Sequence, residues 1–270
     1  MDPLWNPRKA VPDSDNIIAR FTELSAWVRS NVSCRLDQPY GTQSRESFDV
    51  FLPDGNLEGL HVFIHGGFWM SRDKSIFSFL ADSYTRRKWA FAIPNFPLMP
   101  SARIGQMVSS IRQACEVICN QYARPLNALP WTISGHSSGA HLVSQAVLVN
   151  EPMSIPEPVS VALISGAYDL ETIRRSEVNT SLNLSELEVI QQCTLKQRLR
   201  LVSSNVKLYV GAREPGIWAK QSEALAVNLK SAGYADSVTP VSLAGHDHFS
   251  ILEPLAQPQS EIGKHILNFY

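Results

Sequence analysis

Short apolar runs alternate with longer amphipathic segments along most of the chain. Seven short runs have the length and the β-branched or aromatic content of strands. They are Ser47–Leu52, Leu60–Ile64, Trp89–Ile93, Trp131–Ser134, Val159–Ile164, Val206–Val210 and Ser237–Leu243. Three longer segments repeat apolar positions at helical spacing and predict helices: Gly105–Tyr122, Ile217–Lys230 and Ser260–Phe269. Strands separated by helices are typical of an α/β protein with a mostly parallel central sheet and helices on both faces.

Two segments do not follow this alternation. Residues 1–45 are polar, contain prolines and are weakly periodic, and we expect them to form an N-terminal arm packed on a domain of residues 46–270. Residues 172–200 interrupt the order of strands and helices, and Ser185–Glu188 has the capping-box pattern that begins a short helix. The position of this second segment suits a small lid beside a site, and a plain surface connection is the alternative.

Composition narrows the class of protein. Of the 270 residues, 44% are hydrophobic and 18% are charged, which is enough apolar material for one large folded domain. The 24 Lys and Arg residues nearly balance the 25 Asp and Glu residues, and this balance gives no electrostatic basis for a nucleic-acid partner. No run reaches the roughly 20 apolar residues of a membrane span, and the N-terminus lacks the apolar core of a signal peptide. We therefore expect a cytoplasmic protein whose partner is a small molecule, with no membrane association; the oligomeric state is left open.

The segment Gly135–Gly139 has the pattern Gly-x-Ser-x-Gly. It follows a predicted strand and precedes an apolar helical run. This is the context of a nucleophile elbow, in which a serine occupies a strained turn between strand and helix. The pattern predicts Ser137 as a catalytic nucleophile.

A second motif, His65-Gly66-Gly67-Phe68-Trp69, follows the strand predicted at Leu60–Ile64. Attack by a serine generates an oxyanion, which backbone N–H groups stabilise. The amides of Gly66, Gly67 and Phe68 are candidates for such an oxyanion hole, together with the amide of Ser138 after the nucleophile. Arg72, Asp73 and Lys74, which come next, are interpreted as surface residues without a role.

The nucleophile needs a base and an acid that orients the base. His246 and His248 lie in one loop after the last predicted strand, and either could reach Ser137. Glu214 follows one strand and Asp169 follows the strand before it. The order serine, acid, histidine is that of α/β-hydrolases with either acid.

Other residues allow more than one interpretation. Phe68, Trp69 and Tyr168 are candidates to line a pocket for an aromatic substrate, and burial beside the pocket is the alternative. His141 is interpreted as a packed histidine. No set of histidines and carboxylates has the spacing of a metal site, so we expect no metal and no cofactor.

These motifs, together with Ser165–Leu170 and Asp247-His248-Phe249, resemble those of the kynurenine formamidase (arylformamidase) branch of the α/β-hydrolases. The resemblance extends from about Val50 to the C-terminus. It implies the α/β-hydrolase fold, with Ser137 as nucleophile, His248 as base and Glu214 at the acid position, where the family usually has aspartate.

The resemblance also implies an activity. We expect a cofactor-independent serine hydrolase that cleaves a small aryl formamide such as N-formyl-kynurenine, the family's substrate, through an acyl-enzyme. The alternative is a small-molecule carboxylesterase or an amidase of secondary metabolism on the same scaffold. A non-catalytic ligand receptor is less favoured, because such proteins would be expected to lose a member of the triad.

Overall fold

The structure, a computed structural model, describes residues 5–123, 129–235 and 238–267. Within these residues, eight strands form one sheet in the order β1-β2-β4-β3-β5-β6-β7-β8. The strands are β1 Cys34–Pro39, β2 Ser47–Phe51, β3 Gly59–Ile64, β4 Trp89–Pro94, β5 Trp131–His136, β6 Ser160–Ile164, β7 Asn205–Gly211 and β8 Val241–Leu243. Strand β2 pairs antiparallel with β1 and β4, and the pairs from β4 to β8 are parallel. The predicted mostly parallel sheet is confirmed.

Helices cover both faces of this sheet. They are α1 Pro7–Ala10, α2 Ser14–Asn31, α3 Ala81–Thr85, α4 Ile104–Tyr122, α5 Ser138–Ser144, α6 Leu170–Arg174, α7 Asn179–Leu182, α8 Glu186–Gln192, α9 Gly216–Ser231, α10 Leu252–Leu255 and α11 Glu261–Leu267. Two short 3₁₀ helices lie at Lys74–Leu80 and Thr194–Lys196. In β3, Val62 packs into the core beneath α4 and α9, and Phe63 packs into the core beneath α2 and α11. This alternation is the two-residue period of a strand buried on both faces.

Most predicted elements agree with the structure to within one or two residues. Strand β8 is shorter than predicted, since it begins at Val241, and residue 237 lies outside the described residues. Residues 268–270, where the last predicted helix ends, also lie outside them.

The predicted N-terminal arm contains a long helix, α2, and the edge strand β1. Helix α2 buries Ile17, Phe21 and Val28 against the sheet face that also holds the 3₁₀ helix Lys74–Leu80. The ring of Phe21 stacks on that of Phe79, with centroids 4.3 Å apart. The segment is therefore built into the core of the molecule.

An ion-pair cluster lies under the 3₁₀ helix. Lys74 is only 3% exposed, so its interpretation as a surface residue is wrong. Its ammonium group is 2.9 Å from Asp49, which is fully buried and also pairs with Arg29 of α2. A buried charge is tolerated only with a partner. The buried Asp49 of β2 therefore holds Arg29 of α2 close to the sheet, and the cluster joins the two elements.

Residues 172–200 form short helices joined by turns. Helix α8 begins as its capping pattern predicts: the Ser185 Oγ accepts a hydrogen bond from the Glu188 amide at 3.1 Å. The Glu188 carboxylate does not complete the capping box. It accepts hydrogen bonds from Arg103 and from the Ile104 amide, and so joins α8 to the start of α4.

Candidate active site

Ser137 lies in the turn between β5 and α5. Its backbone has φ 56° and ψ −124°, a conformation that costs free energy in a residue with a side chain. The Ser137 amide donates to the Ile164 carbonyl of β6 at 2.8 Å, which fixes the turn to the sheet. The predicted elbow geometry is therefore present, with the serine at the carboxyl ends of the parallel strands.

His248 contacts both Ser137 and Glu214. Its Nε2 is 3.0 Å from the Ser137 Oγ, and its Nδ1 is 2.7 Å from the Glu214 Oε2. The other carboxylate oxygen, Oε1, accepts hydrogen bonds from the Gly211 amide at 2.6 Å and the Ser165 hydroxyl at 2.5 Å. An ionised carboxylate only accepts hydrogen bonds, so the Nδ1 of His248 carries the proton and donates it to Oε2. The Nε2 of His248 is then left to accept a proton from Ser137.

The competing candidates lie elsewhere. The His246 Nδ1 is 3.1 Å from the Ser250 carbonyl, to which it donates. The Asp169 Oδ1 accepts from the Glu171 amide at 3.0 Å and caps the start of α6. Of the alternatives that the sequence left open, the structure brings His248 and Glu214 to the serine, and it brings neither His246 nor Asp169.

The four amides predicted for the oxyanion hole border the serine. Within the described part of the chain, the N–H groups of Gly66, Gly67, Phe68 and Ser138 donate no hydrogen bond. A Cβ on Gly66 would lie 2.9 Å from the Ser137 Cβ, so only glycine lets this loop approach the nucleophile so closely. Unbonded amides beside a nucleophile are suited to bind a developing negative charge.

Two side chains that the sequence did not single out hold the histidine in place. The Nε2–H of His136 donates to the His248 carbonyl at 2.8 Å, and burial lowers the pKa of His136 well below its usual value, so this ring is neutral. The ring of Trp218 packs on that of His248 with centroids 4.2 Å apart, and Trp5 packs edge-on against Trp218. His136 lies next to Ser137 in the sequence, and this position could have indicated a contact with the site. Nothing in the sequence around Trp218 indicates its contact with His248.

A cavity of about 150 Å³ opens onto Ser137 and His248. Its wall is mainly apolar and aromatic and includes residues of α1 and α2. The lining residues are Asn6, Pro7, Arg8, Ile18, Phe21, Gly66, Gly67, Phe68, Ser71, Arg72, Ile76, Phe77, His136, Ser137, His248, Phe249 and Leu252. None of these comes from residues 172–200, the predicted lid, and Arg72 faces the cavity although no role was expected for it.

The structure does not bring Trp69 and Tyr168 to this cavity. Both are in the core, with exposed fractions of 1% and 0%. The Trp69 amide donates to the Ser138 Oγ at 3.3 Å, and its ring packs edge-on against His141. Their predicted contact with substrate has no support from this placement, because neighbouring side chains cover both rings.

Two features are absent from the part of the chain that the structure describes. In the described ranges, no three His, Cys, Asp or Glu side chains are grouped as metal ligands would be. No helix within those ranges has the length and apolar character needed to cross a bilayer.

Comparisons with known proteins indicate the family and the fold of this chain. Residues 48–227 match the sequence model of the family described as BD-FAE. A kynurenine formamidase of Danio rerio is 28% identical over 97% of this chain and 91% of its own length, and one of Drosophila melanogaster is 29% identical over 85% and 79%. The crystal structure of a candidate thioesterase from Silicibacter sp. TM1040 has a TM-score of 0.84 at 29% identity and covers 98% of both chains. Esterase B from Lactobacillus rhamnosis, at 13% identity and a TM-score of 0.67, shares the fold. The chain therefore belongs to the BD-FAE family, as a hydrolase with the α/β-hydrolase fold that is similar to kynurenine formamidases.

Proposed function

We propose that this protein is a cofactor-independent serine hydrolase that cleaves a small aryl formamide, such as N-formyl-kynurenine, through an acyl-enzyme. One observation carries the proposal: Ser137, His248 and Glu214 form a continuous series of hydrogen bonds of 3.0 and 2.7 Å beside four unbonded amides. A serine, a base and an orienting acid in this arrangement are the machinery of acyl transfer.

In the first step, the Ser137 Oγ attacks the formyl carbon while His248 takes the hydroxyl proton at Nε2. The amides of Gly67, Phe68 and Ser138 stabilise the negative charge that develops on the carbonyl oxygen. Glu214 accepts the Nδ1–H throughout and stabilises the imidazolium. His248 then gives the proton to the leaving aryl amine as the carbon–nitrogen bond breaks, which leaves a formyl ester on Ser137.

In the second step, water takes the position of the departed amine. His248 removes a proton from this water as its oxygen attacks the formyl ester. The tetrahedral intermediate collapses, His248 returns the proton to the Ser137 Oγ, and formic acid leaves and ionises to formate in solution. The enzyme is restored with no external oxidant, reductant or metal in the balance.

Two observations support an aryl formamide as the substrate. The relatives named kynurenine formamidase align with 85–97% of this chain. The cavity wall includes the aromatic side chains of Phe21, Phe68, Phe77 and Phe249, which suit an aromatic leaving group. A formyl group needs almost no space on the acyl side of the serine.

The test compares N-formyl-kynurenine with p-nitrophenyl acetate and p-nitrophenyl butyrate. We expect the largest kcat/KM for the formamide, and loss of all three activities in Ser137→Ala by a factor of about 10⁶ in kcat. Ser231→Ala, a matched change on the exposed end of α9, should behave as wild type. A fluorophosphonate should label the wild-type protein at Ser137.

The outcomes separate the alternatives. Labelling of Ser137 with a preference for the esters would replace the formamidase by a carboxylesterase on the same machinery. Substantial hydrolysis by Ser137→Ala would refute the serine mechanism itself.

A further inference from the structure

Two arginine side chains line the cavity beside Ser137. Arg8 belongs to α1, and Arg72 follows the oxyanion loop. None of the described residues that line the cavity is an aspartate or a glutamate. The cavity therefore carries an excess of positive charge on an otherwise largely apolar wall.

The guanidinium of Arg72 is unpaired. Arg72 is half-buried, and within the described part of the chain its side chain makes no hydrogen bond and no ion pair. Its Cγ would lie 2.9 Å from a Cβ on Gly67, so the side chain crosses the oxyanion loop directly. Its backbone carbonyl accepts from the Arg45 Nη2 at 2.9 Å, which holds this turn at a φ of 81°. The chain thus holds Arg72 at the cavity by backbone contacts and leaves its charged end without a partner.

The positive charge of Arg8 adds to that of Arg72 and does not neutralise it. Burial lowers the pKa of Arg72, and the nearby charge of Arg8 lowers it further, although a guanidinium remains charged at neutral pH. Among the described residues, Asp15 is the acid whose charge raises the pKa of Arg72, and the Asp15 carboxylate is 3.5 Å from the Arg8 guanidinium. A half-buried charge without a partner is unfavourable, and an anionic ligand in the cavity would remove this cost.

We propose that Arg72, assisted by Arg8, forms an anion subsite that binds a carboxylate on the leaving group of the substrate. This inference rests on the proposed function in one respect. A formyl group is a single carbon and carries no charge, so the carboxylate belongs to the amine that departs. A planar guanidinium binds a carboxylate through two parallel hydrogen bonds, which would fix the aryl amine relative to the serine.

The first test uses two aryl formamides of the same skeleton, 3-formamidophenylacetate and 3-formamidophenylacetamide, which differ in charge. We expect wild type to prefer the carboxylate, and Arg72→Gln to reduce the ratio of the two kcat/KM values by about ten- to a hundredfold, the size of a lost charge-assisted hydrogen bond. Arg8→Gln should reduce the ratio less, because Arg8 is exposed and already paired. Arg72→Lys keeps the charge and should restore part of the preference.

Arg86→Gln is the matched control. Arg86 is exposed and pairs with Asp82 of α3, away from the cavity. The variant should keep the wild-type ratio. An equal loss of preference in Arg86→Gln and Arg72→Gln would overturn the subsite.

A second test does not depend on formamide hydrolysis. The amines 3-aminophenylacetate and 3-aminophenylacetamide are compared as protectants of Ser137 against a fluorophosphonate. We expect the carboxylate to protect at a concentration at least tenfold lower, and Arg72→Gln to abolish this difference. If the protein hydrolyses no formamide and the difference in protection persists, the formamidase is wrong and the anion subsite is retained. If both amines protect wild type equally, the subsite is wrong even for an active formamidase.

Discussion

Replacing Glu214 by glutamine tests the role of its carboxylate without changing its shape. Oε1 accepts from the Gly211 amide and the Ser165 hydroxyl, and Oε2 accepts from His248. A glutamine has one oxygen for these two positions. If its NH₂ group faced the Gly211 amide, two buried donors would oppose each other, at a cost of about 1–3 kcal/mol. We therefore expect the glutamine to direct its oxygen to Gly211 and its NH₂ group to the Nδ1 of His248. This orientation should be populated roughly ten- to a hundredfold more than the flipped one.

This orientation selects the wrong tautomer of the base. With a donor at Nδ1, the His248 proton moves to Nε2, which then cannot accept the Ser137 proton. We expect kcat to fall by about 10³–10⁴. KM and the melting temperature should change little, because the side chain keeps its volume and its three hydrogen bonds, with the direction of the one to His248 reversed.

The assay measures kcat and the melting temperature of Glu214→Gln on the substrate that wild type cleaves best. Asp169→Asn is the matched control, since it makes the same carboxylate-to-amide change and asparagine also caps a helix. Near-normal turnover by Glu214→Gln together with a collapse in Asp169→Asn would refute the reasoning and make Asp169 the acid.

Three further predictions concern the surroundings of the site. Gly66→Ala places a Cβ 2.9 Å from that of Ser137, and the displacement should lower kcat by about 10² in a steady-state assay, as a misplacement of about 1 Å can. Burial lowers the pKa of His141 to about 4 from its usual 6.5; the unfolded chain therefore binds a proton that the native chain rejects, and the free energy of unfolding should fall as the pH is lowered from about 6.5 to 4. His141→Gln should make this slope, measured by urea unfolding, shallower by up to about 1.4 kcal/mol per pH unit. Lys74→Met leaves the buried Asp49 carboxylate with Arg29 as its remaining cationic partner and should lower the free energy of unfolding by about 1–3 kcal/mol, whereas Lys88→Met, at an exposed pair, should cost under about 1 kcal/mol.

Each of these has a contrary result. Unchanged kcat in Gly66→Ala would mean that the loop yields without moving the serine. An identical pH slope in wild type and His141→Gln would mean that His141 does not bind its proton preferentially in the unfolded state. Equal stability losses in Lys74→Met and Lys88→Met would show that burial of the Lys74 pair adds nothing.

The parallel sheet and the neighbourhood of Ser137 could be predicted because their signals are local. A strand, a tight turn and a helix follow one another within the residues that flank Gly135–Gly139, so the sequence pattern and the geometry coincide. The contacts of His248 with Ser137 and Glu214 were harder to predict, because His246 and His248 share a loop and the contact with Glu214 spans 34 residues. Which ring turns toward the serine depends on packing that no short pattern contains.

Helix α2 was not predicted, because its polar and apolar residues do not follow the helical period. Its buried face includes Ser25, whose hydroxyl donates to the Ile76 carbonyl and accepts from the Phe79 amide. Its exposed face carries Leu24 and Trp27, which are 46% and 51% exposed. A polar residue inside and apolar residues outside blur the helical period. The contacts that decide the arrangement come from residues about 50 positions away.

Helices α1 and α2 contribute part of the cavity wall but none of the three residues Ser137, Glu214 and His248. Ser137, Glu214 and His248 all follow residue 48, where the family match begins, while Arg8, Phe21 and other lining residues precede it. We therefore expect substitutions of Arg8 or Phe21 to change which molecules the cavity accepts while Ser137, Glu214 and His248 keep their contacts. His248 also lies outside the matched residues 48–227, so a match to this region alone indicates neither the molecules that the cavity accepts nor the complete set of three residues.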